Sequence, residues 1–139
     1  MLQKYSLRTD RRSQMINITG KVENAVREAR IREGLVCVYC PHTTAGITIN
    51  EGADPDVASD MLAYLDELIP WEHRKYRHAE GNSAAHLKAS IIGSSQTIPV
   101  AGGNLVLGTW QAIYFCEFDG PRNRTFWVKI ITERPAGNK

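Results

Sequence analysis

Cysteine is scarce in this chain, with three in 139 residues, an odd number. That argues against a disulfide framework. Cys37 and Cys40 have C-x-x-C spacing, but no second such pair exists to complete a zinc site. They lie in Leu35-Val36-Cys37-Val38-Tyr39-Cys40, which reads as a strand buried on both faces. Residues three apart on a strand point to opposite faces, so these thiols are expected to be buried and inert. An excess of charge of one sign is also missing. Seventeen basic residues against 15 acidic ones leave a net charge of +2. No long Lys/Arg run exists, so the chain has no electrostatic footprint for nucleic acid. Arg8, Arg11 and Arg12 read as a solvated turn. No apolar run approaches the about 20 residues that cross a bilayer. No signal-peptide pattern is present, so no membrane partner is expected and the expected location is the cytoplasm. A Walker P-loop, a dinucleotide fingerprint and a Gly-x-Ser-x-Gly elbow are all missing, and no nucleotide cofactor is expected.

What remains is an ordinary globular composition, 42% hydrophobic and 23% charged. A single domain over residues 1–139 is the simplest organisation, long enough for a core of its own. Period-2 patterning predicts strands from Leu2 to Arg8 and from Gln14 to Ile18. A helix capped by Thr19 is expected to run to about Glu33, with Gly34 as its stop. Strands follow at Leu35 to Cys40 and Ile47 to Glu51. Asp54-Pro55 opens a helix to about Ile69, with Val57, Met61, Tyr64, Leu65 and Leu68 as its inner stripe. A short helix begins at Asn82 or Ser83 and closes at Gly93. A β meander completes the chain: Thr97 to Val100, a hairpin at Ala101-Gly102-Gly103-Asn104, a return from Leu105, Thr109 to Phe118 and Arg124 to Thr132. Thr109 to Phe118 is apolar on both faces and so is central or at a subunit contact. Residues 135–139 read as a tail. Strands and helices do not alternate regularly. The expected fold is therefore α+β, a mainly antiparallel sheet with two main helices and one short helix.

Chemistry concentrates in His78-Ala79-Glu80-Gly81-Asn82-Ser83-Ala84-Ala85-His86. Asn82 and His86 are four apart at the mouth of a helix and share a face. Helix N–H groups beside such a cluster suit a metal or an anion. His42 follows a strand that reads as buried, and Asn50-Glu51 ends the next. His42, His78 and His86 make a candidate metal triad, which would suit zinc better than magnesium. Arg122 and Arg124 flank a turn and are candidate phosphate grips. Each also has a plain reading as a solvated loop residue, a hydrogen-bonded histidine or a surface salt-bridge partner.

The run His42-Thr43-Thr44-Ala45-Gly46, then Asn50-Glu51, Gly81-Asn82-Ser83-Ala84-Ala85-His86, Gly108-Thr109-Trp110-Gln111 and Asp119-Gly120-Pro121-Arg122 with Arg124 together resemble the YjbQ-like family, also called secondary thiamine-phosphate synthase. The resemblance covers nearly the whole chain. It implies a compact α+β domain that assembles as a homotrimer. It also implies an activity that joins hydroxymethylpyrimidine diphosphate to thiazole phosphate with release of pyrophosphate. The polar positions it singles out are His42, Thr43, Thr44, Asn50, Glu51, His78, Asn82, His86 and Gln111. His42, His78, His86 and Glu51 are the expected catalytic groups. Thr43, Thr44, Asn50, Asn82, Gln111, Arg122 and Arg124 are the expected substrate contacts. Two other readings of the same residues are a metal-dependent hydrolase of a phosphorylated small molecule and a non-catalytic trimeric ligand-binding protein.

Overall fold

The computed structural model describes residues 1–133, so the tail expected at 135–139 lies outside the described residues. The strands form two antiparallel sheets. The larger has the order β1 (Leu2–Arg8), β8 (Asn123–Thr132), β3 (Gly34–Tyr39), β5 (Ser95–Ala101), β6 (Asn104–Leu105). The smaller has the order β2 (Gln14–Asn17), β7 (Gln111–Glu117), β4 (Ala45–Glu51). The helices are α1 (Thr19–Ala29), α2 (Pro55–Leu68) and α3 (Ser83–Ile92). The expected α+β fold is thus present, with the single expected sheet divided in two.

The division follows from the side-chain pattern. Val36, Val38, Phe126, Val128 and Ile130 from the larger sheet meet Ile47, Ile113 and Phe115 from the smaller, and α1 adds Val22 and Val26 to the same core. The other face of the smaller sheet carries Ala112, Tyr114, Cys116 and Phe118, which pack on Ala85 and Ala89 of α3 and on Leu62 and Leu65 of α2. β7 is therefore covered on both faces, as its two apolar faces required. Burial pushes the Cys116 thiol up to about 12, and all three cysteines are free.

Several local expectations are corrected. α1 stops at Ala29, because Arg30 turns into the left-handed region at φ 55° and closes the helix. Gly34 is the first residue of β3 rather than a helix stop. A Cβ there would lie 2.1 Å from the Ile131 carbonyl oxygen of β8. Thr19 does not cap α1; it is the first helical residue, and its Oγ1 accepts the Ile113 N–H at 2.8 Å, which ties the helix to β7. Asp54 caps α2 as expected, accepting the Asp56 N–H at 2.9 Å. The inner stripe of α2 is narrower than predicted, because Tyr64 and Leu68 point to solvent while Leu62 and Leu65 face the sheet. β3 is buried on one face only. Val36 and Val38 face the core, while Leu35 and Tyr39 stand on the outer face of the larger sheet, over which no further layer lies among the described residues. The Gly102-Gly103 hairpin forms with both residues at positive φ. No helix among the described residues is long and apolar enough to cross a membrane.

Candidate functional site

The strands β4 and β7 decide which candidate residues meet. They pair over seven residues, from Ala45 opposite Glu117 to Glu51 opposite Gln111. At about 3.3 Å per residue, the two ends lie roughly 20 Å apart. His42, Thr43 and Thr44 lead into the first end. Asn50, Glu51 and Gln111 occupy the other. There Asn50 Oδ1 accepts the Glu51 N–H at 2.7 Å, Glu51 Oε2 accepts the Ala53 N–H at 2.9 Å, and Gln111 Oε1 accepts the Gly108 N–H at 2.7 Å. Among the described residues, no hydrogen bond joins any of these three to His78 or His86.

The first end is pinned by a buried polar network that sequence reasoning missed. The Glu117 carboxylate is fully buried. It accepts from Thr9 Oγ1 at 2.7 Å, Arg124 Nε at 2.8 Å, and the backbone N–H groups of Phe118 and Asp119 at 3.1 and 3.0 Å. Arg124 completes the ion pair through its terminal nitrogen, which also donates to Thr44 Oγ1 at 2.8 Å. Arg124 is itself buried. Its Nε and Nη2 donate inside the protein, which ties the 42–44 segment to Glu117 at the end of β7. The one available sequence signal was an acid, Glu117, inside an otherwise apolar strand.

Above that network, Asp119 gathers two expected site residues. Asn82 Nδ2 donates to Asp119 Oδ2 at 2.9 Å, and Arg122 donates to the same oxygen at 2.8 Å and to the Asp119 carbonyl at 2.8 Å. Asn82 therefore opens α3 without making the side-chain cap its position predicted. Its Oδ1 is buried and without a partner.

One turn further along α3, His86 meets His78. Their ring centroids are 5.3 Å apart and the rings nearly perpendicular. Glu80 Oε1 lies 4.0 Å from His78 Nε2. Both histidines line a cleft of about 770 Å³ between the end of α2, the 69–78 segment and the first turns of α3. Leu68, Ile69, Pro70, Tyr76 and Leu87 supply apolar walls; Lys75, Arg77, His73 and Ser83 supply the polar groups, and no carboxylate lines it.

The third imidazole has another task. His42 Nε2 accepts the Thr125 backbone N–H at 3.0 Å. Burial and the nearby Arg124 guanidinium lower its pKa, which keeps it neutral and able to accept. Two of the three expected metal ligands, His78 and His86, come together. Among the described residues of this one chain, no group of three or more His, Cys, Asp or Glu is placed to hold a metal ion.

Comparison with known proteins places the chain. The family model described as UPF0047 protein YjbQ-like matches residues 3–133. The chain is 56% identical over 131 residues to the UPF0047 protein YugU of Bacillus subtilis, covering 94% of this chain and 99% of that one. It is 49% identical over 134 residues to the UPF0047 protein MJ1081 of Methanocaldococcus jannaschii, covering 96% of each. A solved YjbQ/UPF0047 protein from Clostridium acetobutylicum superposes with a TM-score of 0.91 at 56% identity, over 93% of this chain and 99% of that one. A YbjQ-like protein of unknown function from Sulfolobus solfataricus superposes equally well, with a TM-score of 0.91 at 33% identity, over 96% and 97%. The fold, the matched length and the identities agree: the chain belongs to the UPF0047 YjbQ-like family.

Proposed function

We propose that this protein is a cytoplasmic, homotrimeric small-molecule enzyme that acts on a phosphorylated substrate. In its specific form the reaction joins hydroxymethylpyrimidine diphosphate to thiazole phosphate and releases pyrophosphate. The observation that carries the reading is the cleft beside α3. It pairs His78 with His86, adds Lys75 and Arg77, and has no carboxylate in its lining. Its volume is in the range of small-molecule sites. Its Tyr76 and aliphatic walls suit flat rings, and its cations suit phosphate oxygens.

The chemistry needs no oxidant. The thiazole nitrogen forms a C–N bond to the pyrimidine methylene carbon as the C–O bond to the diphosphate breaks. The leaving pyrophosphate carries away the electron pair. Lys75 and Arg77 offset the charge that develops on it. An imidazole N–H, of His86 or His78, donates a hydrogen bond to the departing oxygen. The walls hold the two rings in line.

The test is direct. Purified protein is incubated with the pyrimidine diphosphate and the thiazole phosphate, and thiamine phosphate is followed beside a His86→Ala protein. We expect turnover, reduced by roughly 100-fold in the variant. Absence of turnover by the folded protein would overturn the synthase reading. Tight binding of a phosphorylated compound without turnover would favour a ligand-binding role.

A further inference from the structure

A second cleft, of about 550 Å³, opens where β7 begins, and it shares no lining residue with the cleft beside α3. Trp110 forms one side of it and stands 64% exposed. A lone exposed aromatic is ordinary. This one is fixed to the sheet. Its carbonyl accepts the Gly52 N–H at 2.8 Å, and the next residue, Gln111, donates its N–H to the Gly108 carbonyl at 3.0 Å. Gly52 permits the close approach, because a Cβ there would lie 2.5 Å from the Ala112 Cβ of β7. The opposite side of the cleft is the start of α1, with Thr19, Gly20 and Glu23.

The polar groups of this cleft are unequally engaged. Asn17 Oδ1 accepts the Thr19 N–H at 3.0 Å, and Thr19 Oγ1 accepts the Ile113 N–H at 2.8 Å. Glu23 is the one charged residue in the lining among the described residues, and no ion pair there engages its carboxylate. Arg27 borders only an adjoining hollow, and its guanidinium donates to Asn24 Oδ1 at 2.5 Å. The two clefts therefore differ in sign. The one beside α3 is lined by Lys75 and Arg77 without a carboxylate; this one is lined by a carboxylate without a cation.

We propose that the Trp110 cleft binds a small alkylated ammonium, its cationic head over the indole face and paired with Glu23. Indole is the best of the aromatic faces for a cation. A carboxylate with no internal counter-ion adds direct attraction, and it would repel an anion. A compact primary ammonium is strongly hydrated and needs acceptors for three donors. An alkylated head needs none, which suits a ring face with a single carboxylate beside it. The volume is in the range of small-molecule sites. This binding is independent of the reaction proposed above and of its cleft.

Titration of the full chain with choline, followed by amide NMR, tests it. The control is 3,3-dimethyl-1-butanol, which has the same shape without the charge. Choline is expected to shift the Gly52 and Ala53 amide signals to saturation, and the control to leave them in place. Trp110→Leu should weaken choline binding by about 10-fold, with Trp110→Phe between that variant and wild type. Glu23→Gln should weaken it by about 5-fold or more. Both side chains are exposed, and circular dichroism with thermal melting confirms that the variants fold. A folded wild type that shows no saturating shift overturns the proposal. So does equal affinity for the uncharged control, unchanged affinity in Trp110→Leu or Glu23→Gln, or a response confined to Ser83 and Leu87 of the other cleft.

Discussion

The imidazole of His42 takes the place of a missing strand residue against Thr125. β3 ends at Tyr39, opposite Trp127, and the next free N–H on that edge of β8 belongs to Thr125. His42 Nε2 accepts it at 3.0 Å. A histidine that reads from sequence as a catalytic or metal-binding group is thereby given a role in holding the 41–44 loop to β8.

This contact predicts a pH dependence. The folded-state pKa of His42 lies below its ordinary 6.5, from burial first and Arg124 second. A depressed folded pKa means that the stabilisation is complete above about pH 6.5 and is lost as pH falls through the lower folded value. Urea unfolding at about pH 7.5 and pH 5 should show wild type losing stability on acidification. His42→Ala should be about 1 kcal/mol less stable at the higher pH, with a shallower pH dependence. Equal pH dependence in the two proteins would show that His42 does not titrate with folding.

The buried pair Glu117–Arg124 predicts strong coupling. Arg124→Met leaves the fully buried Glu117 carboxylate without its counter-ion and should cost about 3 kcal/mol or more. Adding Glu117→Gln removes the stranded charge and should recover part of that loss. Additive effects in the double-mutant cycle, read by thermal melting, would contradict the coupling.

Lys88 and Asp66 should behave unequally. The Lys88 side chain is 3% exposed and the Asp66 side chain 62%. Lys88→Met frees a carboxylate that water already reaches and should cost no more than about 1 kcal/mol. Asp66→Ala strands a buried ammonium and should cost about 2 kcal/mol. Urea midpoints in the opposite order would mean that the Lys88 amine finds water on its own.

Two glycines should respond with opposite signs. A Cβ at Gly20, in the first turn of α1, meets nothing within 4 Å. Gly20→Ala should stabilise by up to about 1 kcal/mol through helix propensity. At Gly34 the same methyl would lie 2.1 Å from the Ile131 carbonyl oxygen, between two paired strands. Gly34→Ala should destabilise by about 3 kcal/mol or more, since both backbones must part. Melting temperatures of the two variants settle both signs.

Sequence alone determined what is local. Asp54-Pro55 starts α2, Gly93 ends α3, and Gly102-Gly103 turns the hairpin, because caps and positive-φ positions act within a few residues. The two apolar faces of β7 announced a central strand for the same kind of reason. Periodicity names the face a residue takes but not the element that faces it. Only the tertiary structure could pair Glu117 with Arg124, Asn82 with Asp119 and His42 with Thr125. It alone set Asn50, Glu51 and Gln111 at one end of the β4–β7 ladder and the 42–44 segment at the other, roughly 20 Å away. It also left Leu35 and Tyr39 facing outward, although the run around them reads as buried on both sides. Which face is covered depends on how sheets and helices stack, and stacking is decided by contacts between residues far apart in the chain.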